Sequence, residues 1–171
     1  MGNLMRQVNF LNSKEAKEIA KMINDQWDAD FKFDDFVIRN LKDKVYIVSR
    51  DLEQIDYKTY NIEQFGLYLA QINERDEIRL SIEGSQIIGP KAKKNVIEIG
   101  KLSKLWMAGQ DIPFKTSCTG DVIIKDGDDY LGSGKIMTRE VVVFDEEGNQ
   151  KKEIQQQILN FVPKTRRHVK D

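Results

Sequence analysis

The chain has 171 residues, enough for one large or two small domains and enough to bury a core without disulfide or metal staples. Hydrophobic residues make up 40% and charged residues 32%, a globular composition that excludes disorder throughout. The net charge of −1, from 27 Lys and Arg against 28 Asp and Glu, excludes a uniformly basic nucleic-acid coat, and one cysteine (Cys118) with one histidine (His168) excludes a disulfide scaffold and a zinc finger.

Met1 to Phe10 lacks the apolar core of a signal peptide, and no run approaches the ~20 apolar residues of a membrane span. The expectation is a soluble protein in a reducing, cytoplasmic setting.

In chain order, the first predicted element is a helix over Ser13–Trp27. Asn12 and Glu15 have the spacing of a capping box, and Ala16, Ile19, Ala20, Ile23 and Trp27 form one apolar face. Phe33, Phe36 and Ile38, then Val45 and Ile47, read as two strands joined by a polar turn at Asn40–Asp43. Ser49 and Asp51 start a short helix through Ile55, and this small α/β unit ends near Tyr60–Glu63. Gly66–Ile72 reads as a buried strand and Asn73–Asp76 as a turn. A short helix begins at Ser81 and is stopped by Gly89-Pro90. Val96–Ile99 is a strand, followed by a helix from Lys101 that buries Leu102, Leu105 and Trp106 and ends at Gly109.

The remainder reads as β. Strand candidates are Ile112–Phe114, Gly120–Lys125, Tyr130–Ile136 and Arg139–Asp145. Glu146–Asn149 is a hairpin connection, and the return strand runs from about Glu153 to Val162, where Ile154 and Ile158 also fit a helix. Pro163 ends it in either case. The fold class is α+β: a small N-terminal α/β domain over 1–63, then a domain over 64–171 built as a small barrel or strongly bent sheet with peripheral helices.

Three segments imitate ligand motifs and fail in detail. Val96-Ile97-Glu98-Ile99-Gly100 has the acidic strand and first glycine of a cofactor loop, but Lys101-Leu102-Ser103 follows where further glycines are needed. Asp126-Gly127-Asp128-Asp129 begins like a calcium loop, but Tyr130, Leu131 and Met137 stand where an oxygen ligand, a glycine and a glutamate belong. Gly132-Ser133-Gly134-Lys135 hints at a phosphate loop, but Ile136 replaces the Ser or Thr that would hold magnesium. It reads either as a glycine bend at a barrel corner or as bare backbone that a phosphate or base could approach beside Lys135. Cys118 and His168 lie 50 positions apart with nothing to support a nucleophile–base pair. No catalytic residue, metal ligand or cofactor is assigned.

The basic residues cluster. Lys91, Lys93, Lys94, Lys101 and Lys104 fall within 14 positions, opposed only by Glu98. The tail holds Lys164, Arg166, Arg167, His168 and Lys170, and Lys135 and Arg139 flank the glycine stretch. Acidic residues gather at Asp25–Asp35 and Asp126–Asp129. Brought together, the basic groups would make one face that attracts polyphosphate.

Gly120-Asp121-Val122, Leu131-Gly132-Ser133-Gly134-Lys135 and Leu159-Asn160-Phe161-Val162-Pro163-Lys164-Thr165-Arg166-Arg167 occur in that order. This set resembles the PUA-type RNA-binding domain, in the version fused behind RNA cytosine-C5 methyltransferases and in stand-alone archaeal relatives. The resemblance covers roughly 66–168, and the unit before it is similar in layout to the domain preceding PUA in certain ribosome-biogenesis factors. It implies a pseudo-barrel with RNA held along a basic face. Gly132, Ser133, Gly134, Lys135, Lys164, Arg166 and Arg167 match the motif by position. Lys91, Lys93, Lys94, Arg139, His168 and Lys170 join them on charge alone. The catalytic domain and paired cysteine motifs of the methyltransferases have no counterpart, so methyl transfer is not implied. The expected function is non-catalytic binding of structured rRNA or tRNA in RNA modification or ribosome biogenesis. The alternative is a protein-interaction subunit docking through its N-terminal domain, suggested by Trp27, Phe31, Phe33 and Phe36 within the acidic stretch.

Overall fold

A computed structural model describes residues 10–54 and 65–168. The chain is mixed α+β with two sheets, and it divides into two compact units, Met1–Lys94 and Asn95–Asp171. Among the described residues, no helix is long and apolar enough to cross a membrane.

The first unit opens with helix α1 (Ser13–Trp27). Its capping box is complete: Asn12 Oδ1 accepts from Lys14 N and Glu15 N, and Glu15 Oε2 accepts from Asn12 N at 2.8 Å. Ile19, Ile23 and Trp27, spaced four apart, form its buried face. The sheet has the order β1-β2-β3-β4, all antiparallel, with β1 (Phe36–Leu41), β2 (Lys44–Ser49), β3 (Leu67–Ile72) and β4 (Ile78–Leu80). Ile38, Val45 and Ile47 fill one side of the β1–β2 ladder and are buried. Gln26 ties α1 to the sheet by donating to Ile78 O at 2.8 Å and accepting from Ile78 N at 3.0 Å.

Helix α2 (Ile82–Ile88) starts where expected, because Ser81 Oγ accepts from Gly84 N at 2.8 Å and donates to Tyr68 O at 2.6 Å. Gly84, a poor helix former by propensity, is there for space: any Cβ would drive into the Leu69 carbonyl. A 3₁₀ turn over Gly89–Lys91 follows α2.

The division into units falls after Lys94, not at the 63/64 boundary expected from sequence. β3 pairs with β2 and β4 pairs with β3, so 65–94 completes the first sheet. That pairing joins segments some twenty residues apart, and local pattern carries no sign of it. The expected end of the first unit near Tyr60–Glu63, and Ile55, lie outside the described residues.

The second unit is a five-stranded sheet of order β5-β7-β8-β9-β6. It comprises β5 (Val96–Glu98), β6 (Ile112–Pro113), β7 (Asp121–Asp126), β8 (Asp129–Phe144) and β9 (Gln150–Asn160). β5 runs parallel to β7, and the other pairs are antiparallel. Its end strands, β5 and β6, do not pair with each other, so the described sheet is open rather than a closed barrel. Val122, Ile123 and Ile124 are all buried, as a strand covered on both faces requires. Helix α3 (Ser103–Met107) follows a 3₁₀ turn over Gly100–Leu102; it buries Trp106, but Leu105 is 42% exposed, against expectation.

The two strands expected at 130–136 and 139–145 are one strand. Met137 and Thr138 pair with Gln157 and Gln156, so the ladder runs without a break from Gly134–Asn160 to Phe144–Gln150. β9 is a strand throughout, which removes the helical alternative. β7 pairs with β8 only as far as Lys135, and β6 reaches β9 only at Gln157 and Ile158. Beyond those points β8 and β9 continue as a two-stranded ribbon.

Candidate nucleic-acid interface

The C-terminal segment of the second unit is fastened to α3. After Pro163 the chain makes a 3₁₀ turn over Lys164–Arg166. His168 N then donates to Met107 O at 2.9 Å. Asn160 Nδ2 donates to Trp106 O at 2.7 Å and to Gln110 O at 3.1 Å, while Asn160 Oδ1 accepts from Val162 N at 2.8 Å. Arg167 Nε donates to Val162 O at 3.0 Å. Its side chain lies where a Cβ on Gly109 would be, and Gly109 takes φ +84° to end α3, so glycine is required there on both counts. Lys164, Arg166 and His168 remain exposed. Lys101 and Lys104, also exposed, stand on the 3₁₀ turn and helix to which this segment is bound.

The glycine stretch has a different role from the one expected. Gly132, Ser133 and Gly134 are buried within β8. A Cβ on Gly134 would lie 2.5 Å from Ile158 Cγ2, 2.7 Å from Trp106 Cη2 and 2.8 Å from Leu159 O. Trp106 is anchored over the strand by donating Nε1–H to Leu131 O at 2.9 Å. The bare backbone is filled by the protein's own indole, so these three residues offer a phosphate no open approach. Lys135 is partly exposed beside them, and Arg139 is exposed farther along β8.

Lys91, Lys93 and Lys94 belong to the first unit and are exposed. Lys91 Nζ sits 5.7 Å from the centroid of Phe31, and the backbone N–H groups of Lys93 and Lys94 donate to Trp27 O at 3.0 and 3.2 Å. Lys170 lies outside the described residues. Sequence reasoning finds Lys101 and Lys104 in the basic cluster but leaves them out of the site. The bond that joins α3 to the tail spans some sixty positions and leaves no local signal.

The other imitated motifs are structural. Glu98 accepts from Gly127 N at 3.1 Å and from Gly100 N at 3.3 Å, which caps the β7–β8 turn and the end of β5. Asp126–Asp129 is the hairpin turn itself. Trp27, Phe31 and Phe33 are buried, and Phe31 meets Phe33 edge to face at 4.8 Å, so three of the four aromatics that suggested a docking surface are core, while Phe36 is partly exposed.

Compared with known proteins, the chain matches no family model and no curated protein.

Proposed function

We propose that this chain is a non-catalytic RNA-binding protein of the PUA type, recognising structured rRNA or tRNA in RNA modification or ribosome biogenesis in the cytoplasm. The observation that carries the reading is the fastened C-terminal segment. Exposed Lys164, Arg166 and His168 lie on a segment fastened to the helix that bears Lys104, by His168 N donating to Met107 O and Asn160 Nδ2 donating to Trp106 O, so basic residues far apart in the unit's sequence stand on joined elements. A backbone already ordered leaves less entropy to lose when these side chains meet phosphates, and such contacts position a folded RNA without reading bases. The order of the PUA-like motifs supports the same reading. A protein partner within a modification or assembly complex is compatible with it; docking through the first unit is the weaker reading because Trp27, Phe31 and Phe33 are buried, which leaves Phe36 and the acidic residues of that stretch to carry it.

The test uses Lys164→Glu with Arg166→Glu, both exposed, with a urea titration of the double variant to verify its fold; Arg167 is left intact because its side chain packs on Gly109 and donates to Val162 O. Affinity for a tRNA transcript should fall, and the slope of log K against log salt should drop by about 1 for each phosphate no longer neutralised. Binding as tight and as salt-dependent as wild type would exclude this segment as the point of attachment.

A further inference from the structure

Away from that segment, the first sheet carries an aromatic and cationic surface that the reading above does not use. In the ladder, Arg39 stands opposite Tyr46, and Tyr46 stands opposite Tyr68, so the three line up across β1, β2 and β3. The Tyr46 and Tyr68 rings are 5.5 Å apart and tilted by 46°. The Arg39 guanidinium lies 5.7 Å from the Tyr46 centroid, and Lys44 Nζ lies 5.8 Å from that of Tyr68. Arg39 is held in place by donating to Phe65 O at 3.2 Å. The side chains of the opposite sheet face, Ile38, Val45 and Ile47, are buried, whereas Arg39, Tyr46 and Tyr68 are partly exposed and Lys44 is exposed; Val37 and Val48, next along the same face, are buried, so the open part of this face is the end that carries the rings.

Positive charge sits at the rings themselves, from Arg39 and Lys44. The adjoining turns carry both signs: Glu74, Asp76 and Glu77 with Arg75 between β3 and β4, and Lys42 with Asp43 between β1 and β2. Asp43 accepts a hydrogen bond from Gln71. That bond is the main reason its carboxyl stays below the ordinary value, with Lys44 and Lys42 adding to it. Burial holds the Tyr68 hydroxyl above its ordinary value, so the ring is a neutral apolar face at physiological pH. Paired rings on the two central strands of a four-stranded antiparallel sheet, bordered by cations, supply what unpaired nucleobases need: π-faces for the bases and positive charge for the phosphates between them.

We propose that the Arg39–Tyr46–Tyr68–Lys44 face is a second binding site, for the bases and backbone of single-stranded RNA. The site lies wholly in the first unit and is independent of the C-terminal segment, so each can fail alone.

The experiment titrates the full chain into a fluorescently labelled oligouridylate of about 8 nucleotides, within the usual range for a single-strand groove. Wild type should bind, and the affinity should weaken as salt rises. Tyr46→Ala and Tyr68→Ala should each lower affinity by roughly 5- to 100-fold, the worth of one stacked base. Tyr46→Phe should restore it, because the ring and not the hydroxyl meets the base. If an alanine variant melts early, the exposed pair Lys42→Glu and Lys44→Glu still tests the site, with an expected loss and a shallower salt slope. The Lys164→Glu, Arg166→Glu protein should bind this oligomer as wild type does. Absence of wild-type binding, unchanged affinity in the tyrosine and lysine variants, or uridine monophosphate binding as tightly as the oligomer would each overturn the proposal. None of these outcomes bears on tRNA binding by the tail.

Discussion

Trp106 and Gly134 show how one side chain decides its neighbour's identity. The indole is fully buried, its N–H is satisfied by Leu131 O, and its far edge occupies the space of a Cβ at position 134. Gly134→Ala therefore has to displace the indole, Ile158 or the Leu159 carbonyl, and none is a flexible chain end. The expected cost is about 1–3 kcal/mol, read as a lower urea midpoint with an unchanged slope. A midpoint equal to wild type would mean that Trp106 yields freely. Gly134 can be picked out in the sequence as a glycine in a strand, and close approach is one of the meanings open to it. What approaches is not visible in sequence, because Trp106 lies on another element and looks there like any apolar helix residue.

At the scale of elements, α1 and the β8–β9 ribbon mark the two ends of what sequence discloses. The α1 cap rests on Asn12 and Glu15, three positions apart, so it is written locally and legible without the structure. The ribbon depends on register between strands, and in sequence the polar residues Thr138, Arg139 and Glu140 look like a break. They lie in a fully paired ladder instead, exposed because β7 and β6 have already ended. The same ending leaves Val142, Phe144 and Ile154 on one ribbon face, with Phe144 65% and Ile154 70% exposed. Apolar groups so open to water stabilise the monomer little. Phe144→Lys and Ile154→Lys should each shift unfolding free energy by no more than about 0.5 kcal/mol in a urea titration. A loss several times larger would show that the ribbon folds back on a surface of the same chain. At the tip, Asp145 accepts from Glu147 N at 3.0 Å and Asn149 N at 2.8 Å; the bonds from Asn149 do most to hold its carboxyl below the ordinary range.

Over the whole molecule, the near-neutral total charge conceals its local distribution. The acidic turn at Asp126–Asp129 and the basic Lys101, Lys104, Lys164 and Arg166 all belong to the second unit, and summation cancels them. The α+β class is apparent from the change of period along the chain, but the division of the chain is not. It depends on where β3 finds its partner. The joint is also unlike most boundaries between compact units, which fall in loose polar linkers. Lys94 N donates to Trp27 O in the first unit, and the next residue, Asn95, accepts from Ile123 N at 2.8 Å in the second. Each of the two residues at the boundary is thus hydrogen-bonded into its own unit. A protease must draw several residues into an extended cleft, so trypsin should cut more slowly after Lys93 and Lys94 than after Lys151 and Lys152, where the ribbon is thin and exposed. Mass spectrometry of brief native digests checks this order of cleavage; early release of two fragments cut at Lys94 would contradict it. A pair of exposed lysines at a domain boundary, ordinarily the first place a chain is nicked, would then be among its most resistant sites.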